Sequence, residues 1–152
     1  MSHHSSVTDA LHATVSLGPT RFRARVESAQ ALASCRALIG LLPYCGTVLH
    51  ARWSGEAVWS PLGAAWPGNA TLPQENATGQ PRPGQLLLYA GHQSEPEILL
   101  AYGETRFAGN SGPLLGNPVL TILERLDELA RVGRSILESG ASTLRIELAR
   151  NS

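Results

Sequence analysis

One run of this 152-residue chain gathers most of the side chains that could do chemistry: His50-Ala51-Arg52-Trp53-Ser54-Gly55-Glu56-Ala57-Val58-Trp59. On a strand, His50, Arg52 and Ser54 project to one side, because side chains alternate with period two. Ser54-Gly55 reads as a turn, so Glu56 could return opposite Arg52 or Ser54. That set supplies a guanidinium able to grip a carboxylate in bidentate fashion. It also supplies an imidazole that exchanges protons near neutral pH, and a carboxylate to orient or share the proton. His50, Arg52 and Glu56 are therefore the candidate catalytic residues, with Trp53 and Trp59 walling an apolar slot. The same spacing also fits an Arg52–Glu56 pair across a hairpin, with His50 merely satisfied at a barrel edge.

Two further segments carry candidates. His92-Gln93-Ser94-Glu95-Pro96-Glu97 follows Tyr89, and Glu95 and Glu97 with His92 could form a divalent-metal site or an acid–base dyad. A solvated turn has the same composition. Arg106-Phe107-Ala108-Gly109-Asn110-Ser111-Gly112-Pro113 leads to Gly116-Asn117; its backbone N–H groups could hold an anion, or the segment could simply turn into a helix. Ser54, Tyr89, Glu95, Arg106 and Phe107 join Trp53 and Trp59 as candidate substrate-binding residues. No zinc or calcium spacing, dinucleotide fingerprint or complete nucleophile elbow occurs, so no metal or cofactor is expected.

Composition narrows the chemistry. Twelve basic residues balance twelve acidic ones, and every base is arginine. Without lysine, Schiff-base catalysis, pyridoxal-phosphate anchoring and a P-loop are excluded. A neutral balance argues against nucleic acid and anionic membrane as partners, since phosphate binding needs excess positive charge. No run approaches the roughly 18 apolar residues of a membrane span, and the polar start lacks the apolar core of a signal peptide. Cys35 and Cys45 show no metal-ligand spacing, so reduced thiols in a cytoplasm are the expectation.

The elements that must hold these residues are mostly short strands. Val15 and Leu17, then Phe22, Ala24 and Val26, alternate with polar neighbours, and Arg21, Arg23 and Arg25 form the wet face. A helix follows, with Ser28 as N-cap, Ala31, Cys35, Leu38, Ile39 and Leu42 on one face, and Pro43 as its stop. Strands are expected over 47–51, 56–59, 85–90, 97–101 and 104–108, the last two joined by a tight turn at Tyr102-Gly103. The loop 60–84 holds five of the ten prolines, and its Trp66 and Leu72 suit a cover that packs on something. A second helix is expected from Asn117 as N-cap and Pro118 at the first position to Gly140. A strand with Leu144, Ile146 and Leu148 inward closes the chain. The order suggests a mainly β domain, a closed barrel plugged by two helices.

The His50-to-Trp59 block, Glu75-Asn76-Ala77-Thr78, Pro83-Gly84-Gln85-Leu86-Leu87-Leu88-Tyr89, Ser94-Glu95-Pro96-Glu97-Ile98-Leu99 and Tyr102-Gly103…Arg106-Phe107-Ala108 together resemble a small bacterial and archaeal family of uncharacterised proteins in the cyclophilin-like superfamily. The resemblance, over roughly Val15 to Leu148, implies an eight-stranded cyclophilin-like β-barrel capped by two helices; with no internal repeat, the chain itself reads as a single domain over 13–150 behind a disordered tail of residues 1–12. The Phe-His-Arg and Gln-Gly-Gly-Asp patterns of true cyclophilins are missing, which sets prolyl isomerisation second. Other barrels of the superfamily look like components of lactam and urea-derivative metabolism, which implies a cyclic amide or small carboxylate as ligand. The expected function is thus a cytoplasmic protein that binds, and in one version processes, a small polar metabolite in a barrel-edge cleft. A homo-oligomer is compatible with it, and a non-catalytic subunit or scaffold of a larger enzyme is the third reading.

Overall fold

The computed structural model describes residues 11–149. Residues 1–10 of the expected tail lie outside the described residues, as does Arg150; the tail's last residue, His12, opens the first strand. The strands are β1 (His12–Leu17), β2 (Thr20–Val26), β3 (Tyr44–His50), β4 (Gly55–Pro61), β5 (Gln85–Tyr89), β6 (Glu97–Thr105), β7 (Ala108–Gly109), β8 (Gly112–Pro113), β9 (Asn117–Ile122) and β10 (Ser142–Leu148). The helices are α1 (Leu32–Leu41) and α2 (Leu126–Ser139). Eight strands close a barrel in the order β1-β10-β3-β4-β6-β5-β9-β2, every neighbouring pair antiparallel. The expected fold class, a mainly β closed eight-stranded barrel with two helices, is what the chain adopts.

Period-two alternation builds the half of the barrel around β1 and β2. Val15, Leu17, Phe22 and Ala24 are buried inside, while the three arginines of β2 face water. Strands β5 and β6 differ, because they are buried on both faces. Leu86, Leu88, Ile98 and Leu100 join the interior core. Leu87, Tyr89 and Leu99 form a second cluster with Ala57, Phe107 and Leu114. The segment carrying the β7–β8 hairpin supplies Phe107 and Leu114, and so covers the outer wall of the barrel there.

Three local expectations give way. Asn117–Ile122 is strand β9, pairing with β5 and β2, and the second helix starts only at Leu126. Val119, Ile122 and Leu126 satisfy helical spacing, but Leu120 and Ile122 equally satisfy strand spacing, and the barrel needs that edge closed. A register shift between Leu86 and Leu87 accommodates the stretch containing Pro118. Tyr102-Gly103 is not a turn, since β6 runs straight through it. Gly103 is small for another reason: a Cβ there would strike the Glu56 carboxylate.

Helix α1 starts at Leu32 behind Ala31 rather than behind Ser28, and no neighbouring side chain caps it. Its cap comes from the distant loop. The Glu75 carboxylate accepts the Ala33 N–H at 3.0 Å, the Ser34 N–H at 2.8 Å and the Ser34 hydroxyl at 2.7 Å. Asn117 locks this buckle: its amide N–H groups donate to Ser34 Oγ and Pro73 O, and its Oδ1 accepts the Glu75 N–H. A carboxylate at a helix N-terminus satisfies orphan donors and meets the positive end of the dipole. Accordingly the Ser34 hydroxyl, helped by the two N–H groups and opposed by burial, holds the Glu75 carboxyl below its ordinary range. Loop 60–84 is thus fastened down, with Leu62 and Trp66 buried and Leu72 packed on the interior core.

Candidate functional site

Residues 51–54 connect β3 to β4 and place the most chemistry-bearing side chains on one rim. Gly55 makes the connection possible: its φ is 89° and an added Cβ would lie 2.8 Å from Glu104 O. Ser54 fixes it to the facing segment. The Ser54 hydroxyl donates to Ala108 O at 3.2 Å and accepts the Ala108 N–H at 3.0 Å, while Ser54 O accepts the Arg106 N–H. The serine side chain is therefore spent on backbone, which leaves Arg52 and Trp53 projecting from a pinned loop. The Arg52 guanidinium lies 5.8 Å from the centre of the Trp53 ring, and Trp53 is 56% exposed.

Below that rim is a cleft of about 230 Å3 on the outer wall of the barrel. Trp59 and Leu99, paired across β4 and β6, form its apolar base, and Glu97 stands two residues further along β6, paired with Pro61. Arg52, Glu95 and Asn110 close the sides. Of the sequence candidates, Arg52, Trp53, Ser54, Trp59 and Glu95 thus come together around one concavity.

Glu97, read from the sequence only as a partner of Glu95 and His92 in a metal site or acid–base dyad, enters the cleft without His92. It is 7% exposed, and no hydrogen-bond donor or cation among the described residues reaches its carboxyl. No fully sealed side-chain oxygen among the described residues lacks a partner, so this carboxyl keeps its contact with the cleft. Burial, and secondarily the neighbouring Glu95, raise its pKa from an ordinary 4.5 to about 7. The available signal was an acid opening the apolar run Ile98-Leu99-Leu100-Ala101, on the same strand face as Leu99.

The other candidates point elsewhere. His50 Nδ1–H donates to Ala51 O at 2.9 Å, which leaves Nε2 to accept the Tyr102 hydroxyl at 2.7 Å. Glu56 accepts the Glu104 N–H at 2.8 Å and pairs with Arg134 of α2 at 3.4 Å. Burial, reinforced by Glu56 and opposed by Arg134, pushes the Tyr102 hydroxyl pKa up. His50 and Glu56 therefore contact the α2 side of the barrel, and neither lines the cleft with Arg52. Tyr89 accepts the Gln93 N–H and meets Phe107 edge-on at 5.5 Å. Phe107 is core, 2% exposed.

Arg106 borders a separate open groove with Thr78, Gln80 and Leu115, which shares Trp53 with the cleft. His92 lines a third depression beside Tyr89 and Leu114, apart from Glu95 and Glu97. Among the described residues no three His, Cys, Asp or Glu stand where they could hold a metal ion. No described helix is long and apolar enough to cross a membrane.

Residues 13–148 match the family described as "Protein of unknown function (DUF3830)". No curated protein matches the chain. Among solved structures, the one described as "Structure of McbB in complex with tryptophan" superposes with a TM-score of 0.73 at 16% identity. The match covers 92% of this chain and 45% of that one, so the chain spans less than half the length of McbB. At that identity the likeness is one of fold.

Proposed function

We propose that this chain, which belongs to the DUF3830 family of proteins of unknown function, binds a small polar metabolite in the outer-wall cleft. One observation carries the reading: Arg52, Trp59 and Glu97 line one concavity of about 230 Å3 that has an apolar base and polar walls. A concavity in which an apolar base is combined with placed polar and charged groups is a usual form of ligand site, and this one is more polar than most. Arg52 grips a carboxylate or carbonyl oxygen of the ligand, Trp59 and Leu99 take its apolar part, and Trp53 and Glu95 form the rim. His50 is a positioning residue here: bound between Ala51 O and Tyr102, it fixes the strand end from which the Arg52 loop departs. The resemblance to cyclophilin-like proteins of bacteria and archaea supports a small carboxylate or cyclic amide as ligand class. McbB, solved with tryptophan, adds an amino acid to the compounds worth trying.

A thermal-shift screen of small carboxylates, cyclic amides and amino acids tests this. A ligand at a hundred times its Kd stabilises the native state by about 2.7 kcal/mol, a readily measured shift. The expected result is a hit within these classes whose shift disappears in Arg52→Ala. Equal shifts in wild type and variant would remove Arg52 from the site. A screen without hits in any class would overturn the reading.

A further inference from the structure

The charges around the cleft do not suit a simple anion. Two carboxyl groups, Glu95 and Glu97, line it against one guanidinium, Arg52. Arg52 makes no salt bridge with any described residue and lies 5.8 Å from the centre of the Trp53 ring, so its fork stays available to a carboxylate. Glu97 is the unusual member. The residue is 7% exposed, and a carboxylate set this deep in a cleft calls for a cation or several donors, because an unpaired charge away from water is costly. Nothing in the described chain provides them. The missing partner is therefore on whatever enters the cleft, and the aromatic ring of Trp59 beside it suits a cation as well.

We infer that the cleft recognises a zwitterion, a small molecule carrying a protonated amine and a carboxylate, with Glu97 pairing the ammonium and Arg52 the carboxylate. This rests on the cleft being the ligand site. A plain carboxylate would bring a third negative charge to a site with one arginine. A zwitterion brings that carboxylate together with an ammonium, so Arg52 and Glu97 are each paired and only Glu95, exposed at the rim, is left to water. Binding also releases a proton, because Glu97 must ionise to meet the ammonium. The groups around it are Glu95, Arg52, the Tyr89 hydroxyl already engaged by the Gln93 N–H, and Pro61, which has nothing to titrate. With a carboxyl that titrates at about 7, affinity for an amine should be about tenfold weaker at pH 6 than at pH 8.

Calorimetric titration of the full chain with matched probes tests the inference. One set is tryptophan, tryptamine and indole-3-propionate; the other is leucine, isopentylamine and 4-methylpentanoate. Within each set the apolar group is constant and only the charges change. The expected order places the zwitterion at least tenfold ahead of both single-charge probes. Glu97→Gln should weaken the zwitterion and amine at least tenfold and leave the carboxylate unchanged, while Arg52→Ala should weaken the zwitterion and carboxylate and leave the amine unchanged. Melting curves of both variants establish that the barrel is intact. The inference is overturned if the carboxylate probes match the zwitterions and Glu97→Gln changes neither, an outcome that keeps the cleft as a carboxylate site. Amine affinity that falls as pH rises would overturn it too. If no probe binds and the wider screen is also empty, the cleft itself is not the ligand site.

Discussion

Replacing Glu97 with glutamine is expected to stabilise the protein, by an amount that depends on pH. The native state raises this carboxyl from 4.5 to about 7, so the folded protein holds the proton more tightly than the unfolded chain does. Below 4.5 both states are protonated and the wild type suffers no penalty. As pH climbs from 4.5 to 7 the unfolded chain ionises first, and native stability falls; above 7 the loss is complete. A difference of about 2.5 units at 1.36 kcal/mol each is about 3 kcal/mol at pH 8, and less than about 1 kcal/mol at pH 5. Glutamine has the same shape and no charge, so it escapes that penalty. For a chain of this length, about 3 kcal/mol is a rise of roughly 6–12 °C in Tm at pH 8. Paired melts of wild type and Glu97→Gln from pH 5 to pH 8 measure the difference directly, with other titrating groups cancelling. A gap that stays constant with pH, or a variant less stable at pH 8, would refute the claim that Glu97 is buried without a partner.

Gly133→Ala should lose stability by about 1–2 kcal/mol in urea unfolding, although helix propensity alone favours alanine by roughly 1 kcal/mol; the new Cβ would enter the Tyr102 ring. Glu75→Gln should be less stable than wild type at neutral pH, with the difference shrinking as acid protonates Glu75, because a depressed carboxyl stabilises above its ordinary pKa and ceases to below its folded one. Melts at descending pH, together with protease sensitivity of loop 60–84, measure that buckle. A thiol-reactive dye should label exposed Cys45 in the native protein and spare Cys35, whose thiol burial pushes up to about 11; mass spectrometry should find the second label only after unfolding.

The fold was legible where one periodicity governed. Val15, Leu17, Phe22, Ala24, Leu144 and Ile146 alternate against polar neighbours, and each lies inside the barrel. It was illegible where two periodicities coincided, as in Pro118-Val119-Leu120-Thr121-Ile122, where only the closure of β5 onto β2 decides for strand. The candidate site divides in the same way. Neighbours in sequence, Arg52 to Trp59, could be placed together by local spacing. His50 and Glu56 belong to the same run, but α2 provides Arg134 and β6 provides Tyr102, partners that are 78 and 52 residues away. Glu75 at the start of α1 is equally remote, 42 residues from Ala33. Long-range polar pairing of this kind has no local signature.

The position of the cleft follows from how the two cores are divided. A closed eight-stranded barrel fills its own interior with side chains, and here the interior is a packed core. A ligand site must then be built on the outside, on a wall that the chain has reason to cover. Leu86-Leu87-Leu88-Tyr89 and Ile98-Leu99-Leu100-Ala101 break alternation and so demand burial on both faces. The segment bearing Phe107 and Leu114 meets that demand over Leu87, Tyr89 and Leu99. Beyond it, at Trp59 and Glu97, the cover ends while the wall remains recessed, and the loop of Arg52 overhangs the gap. A fully covered wall would have no room for a ligand, and a polar wall would have no reason to be recessed. The incomplete cover is what leaves an acid almost withdrawn from water yet still facing an opening, which is the arrangement a cationic group can complete.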